Sequence, residues 1–123
     1  MRSAVSLVVV VVALSAVLAA CGAETAPLPP GDADRGADVF ATNCIACHGP
    51  DAAGSPNGPP LVHERYAPDV ASDEQFADAV RHGVPERHWD FGRMPRVAGL
   101  DDQQIADVIA YVRERQAEAG LGG

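Results

Sequence analysis

Apolar residues recur at helical spacing in three stretches of the chain. Ala33, Gly36, Ala37 and Phe40 fall at i, i+3, i+4 and i+7, with Asp34, Arg35 and Asp38 turned the other way. That stripe predicts a helix from an N-cap at Asp32 to about Asn43. Gly36 costs helix stability, and close approach of another helix is the simplest reason for it. Phe76, Ala79, Val80 and Gly83 repeat the pattern behind a Ser72/Gln75 capping box, with Gly83 and Pro85 as stop signals. Ile105, Val108, Ile109 and Val112 form the third stripe, with Tyr111 on its flank. Asp101 and Gln104 cap that helix, Leu100 and Ile105 sit where a hydrophobic staple needs them, and Arg113 and Arg115 suit its C-terminal end. Residues 49–71 and 84–99 hold turn formers without a period, so they are expected to be long loops. Neither strand alternation nor an internal repeat is present. The expected class is all-α, with three main helices and long loops.

The two ends of the chain follow other rules. Met1-Arg2-Ser3 is weakly basic, Ala4 to Ala20 is almost wholly apolar, and Leu18-Ala19-Ala20-Cys21 closes the run. A basic start, an apolar segment and small residues before a cut form a secretory signal, here residues 1–20. Leu-Ala-Ala-Cys resembles the bacterial lipobox, which implies that Cys21 is diacylated and becomes the new N-terminus. An uncleaved membrane anchor is the alternative, but it leaves Cys21 unexplained. Residues 21–31 read as the lipidated cysteine and a linker. Pro27, Pro29 and Pro30 favour extended polyproline geometry there, and ten such residues reach about 30 Å. Residues 32–118 form the domain, and 119–123 a tail expected to fray.

Charge narrows the partners. The chain holds 17 acidic and 9 basic residues, all of the latter Arg, and its net charge of −8 becomes −9 once Arg2 is removed. So acidic a domain is excluded from nucleic-acid binding, and an anionic bilayer repels it. A partner steered by charge is expected to present a basic patch. Solubility alone is the other explanation of the acidity.

Chemistry concentrates at Cys44-Ile45-Ala46-Cys47-His48. Two cysteines two residues apart, followed at once by histidine, form the attachment signature of c-type haem. The spacing holds both thiols along one porphyrin edge and places His48 beneath the metal as proximal ligand. A thioredoxin-like redox pair lacks its βαβ setting here, and a zinc site lacks a second ligand pair. Once Met1 is removed, Met94 is the only methionine, and it lies in a loop beside Pro95. A thioether fixed in this way suits the second axial position, and His/Met ligation raises the reduction potential relative to His/His. Ordinary packing of Met94 is the alternative, and His63, His82 and His88 are the other candidates for the distal position.

With Cys44, Cys47, His48, Met94-Pro95 and three capped helices, residues 32–118 resemble the class I cytochrome c family. The resemblance implies a small all-α cytochrome c fold wrapped around one covalently bound haem c. It implies that the first and last helices cross near a right angle, where Gly36, Phe40 and Tyr111 match the family's glycine and aromatics. It implies that Gly58-Pro59-Pro60-Leu61 supplies the Pro59 carbonyl as acceptor for the Nδ1–H of His48. Trp89 and Arg93 become candidates for a haem propionate, or else a haem-packing wall and a solvated charge. The implied activity is one-electron transfer without catalysis, in a monomer or a complex subunit lipid-anchored outside the cytoplasm and serving membrane redox complexes. A gas-binding module with a displaceable methionine and a cytochrome subunit of a larger dehydrogenase or oxidase are the alternatives. A peroxidase-like enzyme ranks last. Mobile mitochondrial-type carriers present a lysine ring, whereas this chain has no Lys.

Overall fold

The computed structural model describes residues 26–122; among them are helices and loops but no β-strand. Four α-helices follow in order: α1 Ala33–Asn43, α2 Ile45–His48, α3 Asp73–His82 and α4 Asp102–Glu118. Three are the expected helices. The fourth, α2, is a single turn inside the cysteine motif. Turns of 3-10 helix at Pro50–Ala52 and Glu64–Tyr66 interrupt the first long loop. Local chemistry sets the helix starts. The Asp32 side chain accepts the Arg35 N–H at 2.9 Å, and full capping boxes open α3 at Ser72/Gln75 and α4 at Asp101/Gln104. Each cap contributes about 0.5–2 kcal/mol.

The α1–α4 crossing organises the molecule. Gly36 is buried there, and a Cβ at that position would lie 1.9 Å from the Asp107 carbonyl oxygen. Only glycine allows the two backbones this close. Beside it, the Phe40 and Tyr111 rings pack at 5.1 Å between centroids. Asp107 closes the crossing with charge. Its side chain is 4% exposed and accepts from Arg35 twice, from Gln103 and from the Asp32 backbone N–H, all at 2.8–3.0 Å. The Arg35 hydrogen bonds hold the Asp107 carboxyl down at about 2. Beyond the crossing, Phe40, Ala52, Val108 and Val112 form one buried cluster. Ala77, Val80, Ile105 and Ile109 form a second, joined by Leu28 and Leu100.

Two expectations for the flanks change. The linker assigned to residues 21–31 is not free along its whole length. Leu28 packs into the second cluster, the Pro30 carbonyl accepts from Gln103 at 2.9 Å, and Gly31 lies against the backbone of Ala106. Prolines that forbid a helix leave the chain extended, and an extended strap with an apolar Leu28 can lie along α4. The start of the tail expected to fray is also hydrogen-bonded. Leu121 N–H bonds Gln116 O at 2.8 Å, Gly120 N–H bonds Ala117 O at 2.9 Å, and Gly120 has φ +81°. This paired arrangement is a Schellman cap, and it satisfies the last carbonyls of α4. Cys21 and the signal segment 1–20 lie outside the described residues.

Arg113 does more than complement the helix dipole. Its guanidinium donates to Asp73, to Gln116 and to the carbonyls of Tyr66 and Ala71, and it stacks over Phe76. Gln116, fully buried, donates to the carbonyls of Leu61 and Tyr66 at 2.8 Å each. α4 thereby carries the loop of residues 61–71 on two side chains.

Candidate functional site

The motif folds as a continuation of α1. Cys44 N–H bonds Phe40 O at 2.8 Å, His48 N–H bonds Cys44 O at 2.9 Å, and Gly49 N–H bonds Ile45 O at 2.9 Å. The chain then turns tightly through Gly49 (φ +72°), Asp51 (φ +54°) and Ala52 (φ +56°). Two successive non-glycine residues in the left-handed region are costly, about 1–3 kcal/mol each. The turn is held by Gly54 N–H on His48 O at 2.7 Å, and by Leu61 and Val62 N–H on the buried Ala52 carbonyl at 2.8 and 3.2 Å. From the far side Ser55 Oγ donates to Cys47 O at 2.6 Å. The loop after the motif therefore clamps it, and it delivers Pro59 to the histidine.

His48 is 7% exposed and its Nδ1 lies 2.9 Å from the Pro59 carbonyl oxygen. A carbonyl only accepts, so Nδ1 carries the proton and Nε2 keeps its lone pair. Burial lowers the His48 pKa, while the Pro59 hydrogen bond raises it. The neutral form favoured by burial is the one that binds metals. Cys44 and Cys47 are both free thiols, Cys44 half-buried and Cys47 exposed. Burial, and secondarily Cys47, pushes the Cys44 thiol up to about 11, so it stays protonated.

His48, Cys44, Pro59 and Met94 line one cavity of about 680 Å³. That volume is in the range for small-molecule and cofactor sites, roughly 300–1,000 Å³. Its apolar walls come from every helix that matters: Phe40 of α1, Phe76 and Val80 of α3, and Val108, Ile109 and Val112 of α4. The residues that bury α4 thus also face this space. Met94 enters from the second loop. Its backbone pairs with Val84 through two hydrogen bonds of 2.9 Å, and Val97 N–H bonds Val80 O at 2.8 Å. These bonds mount the methionine segment on the end of α3.

Residues 33–116 match the Cytochrome c family. The chain belongs to the cytochrome c family. It is 37% identical to cytochrome c6 of Bryopsis maxima, a match covering 67% of this chain and 90% of that protein. It is 36% identical over 87 residues to the Cbb3-type cytochrome c oxidase subunit CcoP of Cereibacter sphaeroides. That match covers 64% of this chain but only 29% of the subunit, so the chain spans under a third of that relative's length. Among solved structures, the c-type cytochrome XoxG of Methylobacterium extorquens AM1 superposes with a TM-score of 0.52 at 27% identity. It covers 72% of this cytochrome, which spans about half (51%) of XoxG.

Family membership makes this a c-type cytochrome with one covalently bound haem c and its iron. The donor set fits that group: paired free thiols, a neutral imidazole with Nε2 available, and an apolar cavity of suitable volume. The other candidates fall in different places. His82 and His88 are exposed and line the cavity, whereas His63 packs edge-on against Trp89 at 5.2 Å. Trp89 also lines the cavity, but its indole N–H donates to the Tyr66 hydroxyl at 3.0 Å. That contact favours the wall over the propionate partner. Arg93 lies beside a smaller neighbouring cavity. Arg65 and Arg87 border the main cavity instead, and neither forms an ion pair with described residues. Such cations suit carboxylate substituents at the cavity edge. Only a weak signal marked them in the sequence: arginines within the two long loops.

Proposed function

We propose that this cytochrome carries single electrons with its haem iron held between His48 and Met94, tethered to the outer face of a bacterial membrane through lipidated Cys21. One observation carries the ligand assignment. The Pro59 hydrogen bond fixes the His48 tautomer in the wall of a cavity that Met94 also lines. When bound, the haem supplies a metal centre that cycles between ferric and ferrous states. The chain's residues set how readily it does so. A neutral thioether is a soft donor that favours the ferrous state. Phe40, Val80, Val108 and Ile109 exclude water, which disfavours the extra positive charge of the ferric state. His48 and Met94 would together hold the iron and leave no place for a substrate, which accords with a carrier and not an enzyme. Cys44 and Cys47 would hold the porphyrin edge, and the exposure of Cys47 would leave that edge within reach of a redox partner.

The domain boundaries proposed with this function are a signal at 1–20, the lipidated Cys21 and linker to 31, the cytochrome domain at 32–118 and a short tail. Among the described residues no helix is long and apolar enough to cross a membrane. Membrane redox complexes are the proposed partners, in keeping with a relative named as an oxidase subunit. With a net charge of −8, the complementary surface on such a partner is basic. The test of the ligand set is Met94→Ala, matured in a host that attaches haem. Haem should stay covalently bound, the ferric thioether charge-transfer band should vanish, and the reduction potential should fall. An unchanged potential and band would remove Met94 from the coordination sphere. Ready binding of carbon monoxide by the wild-type ferrous protein at neutral pH would instead favour a gas-binding role.

A further inference from the structure

The end of α3 holds a second constraint on Met94 besides the backbone pairing. Gly83 terminates that helix at φ +77° and ψ 176°, a backbone region that essentially only glycine adopts. Its surroundings exceed what a stop signal needs. A Cβ on Gly83 would lie 2.5 Å from the Met94 carbonyl oxygen and 2.9 Å from the Arg96 nitrogen. Gly120 ends α4 with nearly the same φ, +81°, yet a Cβ there would meet nothing within 4 Å. Both glycines have a positive φ, and only Gly83 adds a steric need against the methionine segment. That segment has no slack. It is bonded on one side of the contact through Val84–Met94 and on the other through Val97–Val80.

We propose that Gly83 is a positioning residue for the Met94 thioether, an inference that rests on Met94 being the distal ligand. The absent side chain lets residues 94–96 lie directly on the turn, and the bonds from Val80 and Val84 hold them there. A methyl group at 83 requires the Met94 carbonyl to retreat from 2.5 Å to an ordinary contact of at least 3.4 Å, a shift of about 0.9 Å. The sulfur rides on that backbone. A displaced thioether leaves the sixth position partly open, while Cys44, Cys47 and His48 retain the haem.

The test compares Gly83→Ala and Gly83→Asn with Gly120→Ala and Gly120→Asn in the haem-loaded protein. Alanine and asparagine both put a Cβ against Met94 and both strain this backbone, so the Gly83 pair perturbs the seat of the methionine segment while the Gly120 pair perturbs a helix end alone. Both Gly83 variants should lose most of the ferric thioether band and bind carbon monoxide in the ferrous state at least about tenfold more tightly, because the open form is no longer a minor population. Their reduction potentials should fall. Both Gly120 variants should keep the wild-type band, affinity and potential even where they melt earlier. The inference is overturned if Gly83→Asn retains the wild-type band and carbon monoxide affinity, or if the Gly120 variants change them equally. Met94→Ala separates the two levels. A band that survives Met94→Ala sinks the ligand assignment and this inference with it. A band lost in Met94→Ala but kept in Gly83→Asn sinks this inference alone.

Discussion

Gly36→Ala sets two opposing effects against each other, and the structure decides the sign. In an isolated helix, replacing an interior glycine by alanine stabilises by about 1 kcal/mol. At the α1–α4 crossing the added Cβ would lie 1.9 Å from the Asp107 carbonyl oxygen, 2.5 Å from the Asp107 carbonyl carbon and 2.9 Å from Tyr111 Cβ. Restoring an ordinary 3.4 Å contact separates the helices by about 1.5 Å. That movement loosens Phe40 against Val108, Val112 and Tyr111, all in one cluster. Overpacking a core costs about 1–3 kcal/mol, and a backbone obstacle places this case at the upper end. The net expectation is a loss of about 2 kcal/mol, equivalent to a Tm lower by roughly 8–16 °C for a domain of this size. Urea unfolding of the haem-loaded protein, followed by far-ultraviolet circular dichroism, should show a lower midpoint at unchanged slope. A variant as stable as wild type, or more so, would mean that helix propensity governs position 36 and that the crossing is looser than described.

Other perturbations reach different parts of the molecule. Gln116→Leu leaves the Leu61 carbonyl without its donor and the Tyr66 carbonyl with Arg113 alone, and should cost about 1–3 kcal/mol in urea titration and speed proteolysis within residues 61–71. Unchanged cleavage there would count against α4 carrying that loop. The Asp107 carboxyl sits at about 2 against an ordinary 3.8, so its contribution is complete above about pH 4 and is lost as pH falls toward 2. Asp107→Asn should therefore be less stable than wild type at pH 7 and show a flatter acid profile from pH 4 to 2; parallel profiles would contradict this. Cys21→Ser should release the protein from membranes or leave an uncleaved precursor, and normal lipid labelling of the variant would refute the lipobox assignment.

Much of this was legible before any coordinates. The three stripes and their caps identified the main helices because each signal is local: Ser72/Gln75 and Asp101/Gln104 act within one turn. The Cys44–His48 spacing carried the cofactor for the same reason. Pro59 came from family resemblance alone, and its hydrogen bond to His48 spans eleven residues that no period connects. What stayed hidden was long-range. Arg113 reads as a helix-end charge until the carbonyls of Tyr66 and Ala71 are placed beside it. Leu28 reads as part of a proline-rich spacer until the second apolar cluster offers it a seat. Gly83 shows its stop signal in sequence, but its contact with Met94 depends on how a loop returns to the helix it left.

The docked strap has a consequence for how this molecule searches for partners. With the chain moored from Leu28 onward, seven Cα steps separate Cys21 from a fixed point on the folded body. Fully stretched, they span at most about 25 Å. A lipid on Cys21 would then confine the haem group to a thin layer beside the bilayer, raising its effective concentration for complexes embedded there. Lengthening the leash by inserted glycine and serine should dilute that advantage without altering the spectrum or potential of the isolated protein.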